Sequence, residues 1–296
     1  MDLWLIFVLL SAVLLAAFIL MLRRDVMHEP NTQVISIYPL SMVFLLPVMS
    51  IFTGVEIDYS LVFSSQGVLV LVKTVAIAIS LFCTTMALKF LPLSAVGPLR
   101  NLGPLFVALL GLLLLGETLS LVNTIGLFVI VCGVILLDFH IRDKHAFRHL
   151  FSSLWHPATL LLIFGAISIS FVPVIDRVLL GSGINILTLL FHLSWTLASI
   201  YWVLHIIEHK KLPVSDLSFH ELLWLLLTGV VLLLADILYL LALSFPAVAV
   251  AVVIGVRRLS DLFVTLFGGA ILHEEHGLYR AGICLLMVFG VVLLVL

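Results

Sequence analysis

The sequence predicts an all-α polytopic membrane protein, with ten transmembrane helices arranged as a 5+5 inverted repeat. Three observations carry that expectation. The 296-residue chain is 64% hydrophobic and only 10% charged, where a water-soluble domain is about half apolar and a quarter charged. Its apolar residues fall into ten runs, each close to the roughly 20 residues that a helix needs to cross a bilayer. Two stretches, "RNLGPLFVALLGLLLLGE" from Arg100 to Glu117 and "RRLSDLFVTLFGGAILHE" from Arg257 to Glu274, agree at 9 of 18 positions when laid over each other without a gap.

The first run, 3–22, lacks a basic leader and an evident cleavage site, so it reads as a membrane helix and not a signal peptide. Spans follow at 34–53, 68–88, 94–115 and 121–138, completing a first repeat over 1–139. The longest link, within 140–157, carries "HIRDKHAFRHLFSSLWHP". Its Phe147, Leu150, Phe151, Leu154 and Trp155 fall at helical spacing beside basic residues, the pattern of a short helix lying on an anionic membrane surface. The second repeat, 158–296, holds spans at 159–180, 184–207, 222–243, 247–272 and 278–296. The likeness extends beyond the opening pair: "IGLFVIVCGVILL" (125–137) is matched by "AGICLLMVFGVVLL" (281–294). Two like halves with an odd number of helices each must face opposite ways across the membrane, which is the inverted repeat of many secondary transporters.

Lys and Arg near helix ends set orientation. They gather at the odd-numbered links (Arg23, Arg24, Lys89, Arg142, Lys144, Arg148, Lys210, Lys211, Arg280), with little beyond Arg177 at the even-numbered ones. This distribution predicts a multi-pass protein of the cell (inner) membrane, with both termini outside and the central link in the cytoplasm. The net charge of −2 gives no sign of a nucleic-acid partner. Cys83, Cys132 and Cys284 sit in apolar runs without a CxxC pair, against a disulfide framework or zinc site. His145 and His149 are at i,i+4 spacing and "HEEH" occupies 273–276, yet no third fixed ligand accompanies them, so no metal is expected. No nucleotide-binding loop, nucleophile triad or catalytic carboxylate pair is evident; neither an enzyme nor a cofactor is expected.

The stretch "PLFVALLGLLLLGETLSLVNTIGLFVIVCGVILL" (104–137) closely resembles the signature of EamA-type carriers in the drug/metabolite transporter superfamily. "VIDRVLL" (174–180) resembles the opening of that family's second half. The second copy departs from the pattern, with Asp261 where the first has Pro104 and His273 where it has Gly116, and helix one lacks a "WG". The resemblance implies a ten-helix carrier working by alternating access. Helices three, four, eight and nine would surround a cavity between the halves, with one and six moving at its edges. Most such carriers are thought to keep both termini in the cytoplasm, whereas the charge count here favours the outside.

Charges within spans cost at least about 2.5–3.5 kcal/mol at mid-bilayer, and they face a cavity or a partner. The candidates are Lys73, Arg100, Asp236, Arg257, Arg258 and Asp261. Arg257 lies roughly 15 Å into helix nine, near the bilayer centre. Asp261 is spaced to pair with Arg257 or with Arg258, and Asp236 is a second possible partner. Arg100 is shallower and within snorkelling reach, but it aligns with Arg257, and in an inverted repeat the two would approach one cavity from opposite sides. Arg100, Asn101, Arg257, Arg258 and Asp261 are therefore the candidate substrate-binding set. Arginine's planar fork suits carboxylate or phosphate, so the solute should be anionic or zwitterionic.

Asp236, Lys73 and His192 are candidates for proton coupling or ion pairing: a buried carboxylate can hold a proton near neutral pH, and a histidine titrates near pH 6–7. Lys73 is also placed to snorkel, and His192 to serve only in packing. Pro98, Gly103 and Pro104 interrupt helix four as a hinge. Glu117 and Glu274 sit at helix ends, where each should bond the free amides of the next helix. Gly111 and Gly268 should let helices pack closely. Three functions remain open: a transporter of a small anionic or zwitterionic metabolite, proton-coupled or exchanging; a flippase gripping a lipid phosphate; and a non-transporting scaffold whose arginines are fully paired.

Overall fold

In a computed structural model of the chain, residues 3–25, 31–88, 90, 102–138, 157–215, 217–264 and 277–296 are described. Helix α1 is Leu3–Asp25 and α2 is Asn31–Thr53, which carries Pro39 and Pro47. A 3-10 turn, Tyr59–Phe63, follows; the Asp58 carboxylate accepts from the Ser60 amide at its start. Helix α3 is Ser65–Leu88. Helix α4 runs from Gly103 to Leu110 and continues in π geometry over Gly111–Leu115. Gly116, at φ 69°, ends it in the left-handed region that costs glycine nothing. Helix α5 is Leu121–Asp138, α6 is Pro157–Gly181 with Pro173 inside it, and α7 is Ile186–His209 with Asn185 as its N-cap. Helix α8, Phe219–Leu243, opens with a capping box of Ser218 and Glu221. Helix α9 begins at Val250–Arg257, and α10 is Gly277–Val295.

Six of these helices (α1, α2, α3, α6, α7 and α8) are long and apolar enough to cross a membrane. Gly103–Leu115, Leu121–Leu136 and Gly282–Val295 are shorter apolar segments. Outward faces carry bare apolar side chains such as Phe44, Phe52, Leu113 and Phe164, a surface that suits lipid and not water. Several hydroxyls inside the spans are satisfied within their own helix: Thr74, Ser170, Ser194 and Thr228 each donate to the carbonyl four residues back.

The helices pair across the sequence in a regular way. Helix α1 packs along α8 and α3 along α6; α2 packs on α7, α4 on α9 and α5 on α10. Secondary contacts join α2 to α8, α3 to α7, α4 to α6 and α1 to α9. Exchanging every helix with the one five places away in the chain returns this same set of neighbours. At the α5–α10 crossing the backbones nearly touch, because a Cβ on Gly126 would lie 2.7 Å from the Leu294 nitrogen.

Helix α9 differs from the unbroken 247–272 span that the sequence predicts. It starts at Val250, turns at Arg258 and resumes over 259–264. The Arg258 amide is shared between the Ile254 and Gly255 carbonyls at 3.2 Å each, and Asp261 N reaches Arg258 O at 3.0 Å, a local tightening to three-residue spacing. The 140–156 part of the predicted surface linker lies outside the described residues.

Candidate functional site

Asp176 comes from α6, the helix opened by "PATLLLIFGAISISFVPVIDRVLLG". It and Lys73 of α3 are almost fully buried, 1% and 2% exposed, and form an ion pair. Lys73 therefore does not snorkel; a partner 103 residues away holds it inside. The Tyr239 hydroxyl of α8 donates to the other Asp176 oxygen at 3.3 Å. The Arg257 guanidinium lies 4.3 Å from the centre of the Tyr239 ring, in cation–π geometry. Arg257 also donates to Asp236 of α8 at 2.5 Å. The result is one chain of polar groups from four helices: Lys73 to Asp176 to Tyr239 to Arg257 to Asp236.

Of the pairings open in the sequence, the structure joins Arg257 to Asp236, and Arg258 to Asp261 at 3.8 Å. Arg257 and Asp261 are not the pair that forms, because the turn at Arg258 spoils the four-residue spacing between them. Arg258 reaches toward α4, where a Cβ on Gly103 would sit 3.1 Å from its Nη2. Gly103 is thus a point of close approach, and its carbonyl accepts from Ser170 of α6 at 3.2 Å. Pro104 occupies the first turn of the described helix, where a missing amide costs nothing.

His192 stands apart from this chain. Its Nε2 is 2.8 Å from the Asp58 carbonyl, so it braces the α2–α3 link instead of joining the charged pairs. In that link, hydrogen bonds from the Ser60 hydroxyl and amide hold the Asp58 carboxyl below its ordinary value.

Glu117 is also corrected. The first turn of α5 is satisfied locally, with Asn123 N donating to Ser120 Oγ at 3.1 Å, so Glu117 is free to cross to the other half. Its Oε2 accepts the Val250 amide at the start of α9, 2.7 Å away, and its Oε1 lies 3.5 Å from Arg177 Nε. Gly111 leaves room for this carboxylate and does not serve a helix–helix approach: a Cβ there would stand 3.3 Å from Oε2. Arg177 donates to the carbonyls of Leu243 at 2.7 Å, Phe245 at 2.9 Å and Val248, tying α6 to the α8–α9 link. Pro98, Arg100, Asn101 and Glu274 lie outside the described residues, as do Gly268, "HEEH" and the linker histidines.

The sequence reading misses Asp176, Tyr239 and Arg177 as site residues. Asp176 and Arg177 had a signal, because both fall inside the predicted 159–180 span. Tyr239 had none beyond being aromatic. Two surface recesses, of about 500 and 170 Å3, are lined by other residues.

Comparison with known proteins bears on the whole arrangement. Residues 2–138 match the model of the EamA-like transporter family. One solved crystal structure is similar at a TM-score of 0.75, covering 98% of this chain and 97% of its own, at 17% sequence identity. That likeness is one of fold. No curated protein matches the chain.

Proposed function

We propose, from the match of residues 2–138 to the EamA-like transporter family, that this multi-pass membrane protein is a secondary transporter for small organic solutes that carry both a carboxylate or phosphate and an amine. It works by alternating access between two inverted five-helix halves, ten spans in all. The exchange pattern of helix contacts supports the inverted halves, since a twofold axis in the membrane plane generates such a pattern.

The observation that carries the solute class is the pairing of Arg257 with Asp236 above Tyr239. A simple anion that took Arg257 would strand Asp236 as an uncompensated charge in a low-dielectric interior, at a cost of several kcal/mol. A zwitterion answers both: its acid takes the guanidinium fork, and its ammonium takes the carboxylate. A lipophilic cation meets the opposite problem and strands Arg257. Exchange of one zwitterion for another, or proton coupling at a network carboxylate, would return the pair to its resting state. The Lys and Arg distribution supports chain ends outside the cell.

The test is ligand-induced thermal stabilisation of the purified protein by panels of zwitterions, anions, organic cations and lipid phosphates. Zwitterions should stabilise most, and Arg257→Gln and Asp236→Asn should each remove about 2 kcal/mol or more of binding. Stabilisation by cations alone, or zwitterion binding that survives both substitutions, would reject this reading. Preference for lipid phosphates would favour a flippase.

A further inference from the structure

We propose that Arg177 and Glu117 form the gate that closes the transport path on the face bearing residues 3 and 296. The inference rests on the transporter reading above.

Three strands of chain meet at this pair. Arg177 is near the end of α6, Glu117 is in the turn between α4 and α5, and the carbonyls of Leu243, Phe245 and Val248 belong to the end of α8 and the α8–α9 link. Glu117 holds the same link from its other side, through the Val250 amide. One guanidinium and one carboxylate thus fasten the first half of the chain to two separate elements of the second. An alternating-access carrier must part its halves on one face while they close on the other, and on this face the parting line crosses these bonds.

A recess of about 500 Å3 lies against the same link. Trp4, Leu119, Phe245, Val248, Val252 and Leu294 are among its lining residues. That volume falls within the usual range for small-molecule sites. Val252 lines the recess, and Val256 is one helical turn deeper on the same face of α9, fully buried. Arg257, which holds Asp236, is the next residue. The recess and the Arg177–Glu117 bolt therefore share the α8–α9 link, and the charged network begins further along α9.

The bolt is also joined to the network through the chain itself. Asp176 and Arg177 are consecutive on α6, about 100° apart around the helix. Asp176 holds Lys73 and Tyr239, while Arg177 holds the link. A solute that shifts the Asp176 contacts turns or slides α6 and with it the arginine that keeps the gate shut.

The test is thiol accessibility in full-length, detergent-purified protein. Cys132 and Cys284 are replaced by alanine, buried Cys83 is kept as the control, and Val256→Cys supplies the reporter beneath the bolt. A bulky polar maleimide is followed by peptide mass spectrometry. Arg177→Gln and Glu117→Gln should each raise labelling at position 256 about tenfold while Cys83 stays unchanged, because removing the bolt shifts the population toward the open face. Arg177→Lys, which keeps the charge and loses the fork, should fall between. Equal labelling in all variants overturns the gate. A parallel rise at Cys83 also overturns it, since Arg177 would then be a general brace. Should Arg177→Gln fail to fold, Glu117→Gln is read against the same two outcomes. The labelling uses no solute, so its failure and the failure of the two-charge solute reading are separate results.

Discussion

The Asp176 network and the Arg177 bolt sit on adjacent residues of one helix, yet they are built from different materials. In the network, charged side chains answer charged side chains: Lys73 with Asp176, and Arg257 with Asp236. In the bolt, one guanidinium spends most of its donors on backbone carbonyls, with a carboxylate completing it. A charged side chain can be displaced by a solute carrying the same group, or neutralised by a proton. A backbone carbonyl can be neither; it can only be moved away with its helix. The comparison separates a region that chemistry can exchange from one that only motion can release.

Breaking the buried pair should give the largest effect. Asp176→Ala leaves the Lys73 ammonium uncompensated at 2% exposure, which should cost about 3–5 kcal/mol of stability. Thermal unfolding of the purified protein measures this. The double substitution Lys73→Met, Asp176→Leu should restore most of that stability and still abolish transport. If transport survives in the double variant, the pair is scaffolding and the contrast with the bolt fails.

A smaller effect is expected at the ring that joins the two pairs. Tyr239→Phe keeps the face under Arg257 but loses the hydroxyl donated to Asp176, at about 1 kcal/mol. Tyr239→Leu loses both, and should cost about 0.5–2 kcal/mol more. Equal losses in the two variants would mean that the ring contributes nothing to holding Arg257. At Gly111, alanine puts a methyl 3.3 Å from the Glu117 carboxylate. It should loosen the bolt without touching the network, raising labelling beneath the gate while solute binding in the thermal assay stays unchanged.

The smallest effect belongs to the α2–α3 link. Asp58 has its carboxyl lowered by Ser60, so its contribution is present above the ordinary carboxylate value and is lost as the pH falls through the depressed one. Asp58→Asn should lower the melting temperature slightly at neutral pH and flatten the acid limb of the profile, where that contribution is lost in the parent.

Six of the predicted spans, those matching α1, α2, α3, α6, α7 and α8, were legible in the sequence because a run of about 20 apolar residues has few other uses. That Arg257 lies within an apolar segment was also readable. Its partner was not, because two acids, Asp236 and Asp261, stood within reach of helix nine on paper, and the turn at Arg258 decides between them. Lys73 reads from sequence as either ion-paired or snorkelling, and nothing local reveals that its partner is an aspartate 103 positions away. Glu117 reads as a cap for its own neighbour, and the Ser120–Asn123 pair that displaces it from that role is an unremarkable loop motif. In each case residue type was readable, whereas the choice of partner depended on which helices lie side by side.

The described network also has an electrical consequence. Lys73, Arg257 and Arg258 are offset by Asp176, Asp236 and Asp261. Moving one unbalanced elementary charge across a membrane at 100 mV changes its energy by about 2.3 kcal/mol. Three cations carried with three carboxylates contribute no such bias. On the alternating-access reading proposed above, such a network would shift between faces with no net charge moved, and a zwitterionic solute would add none.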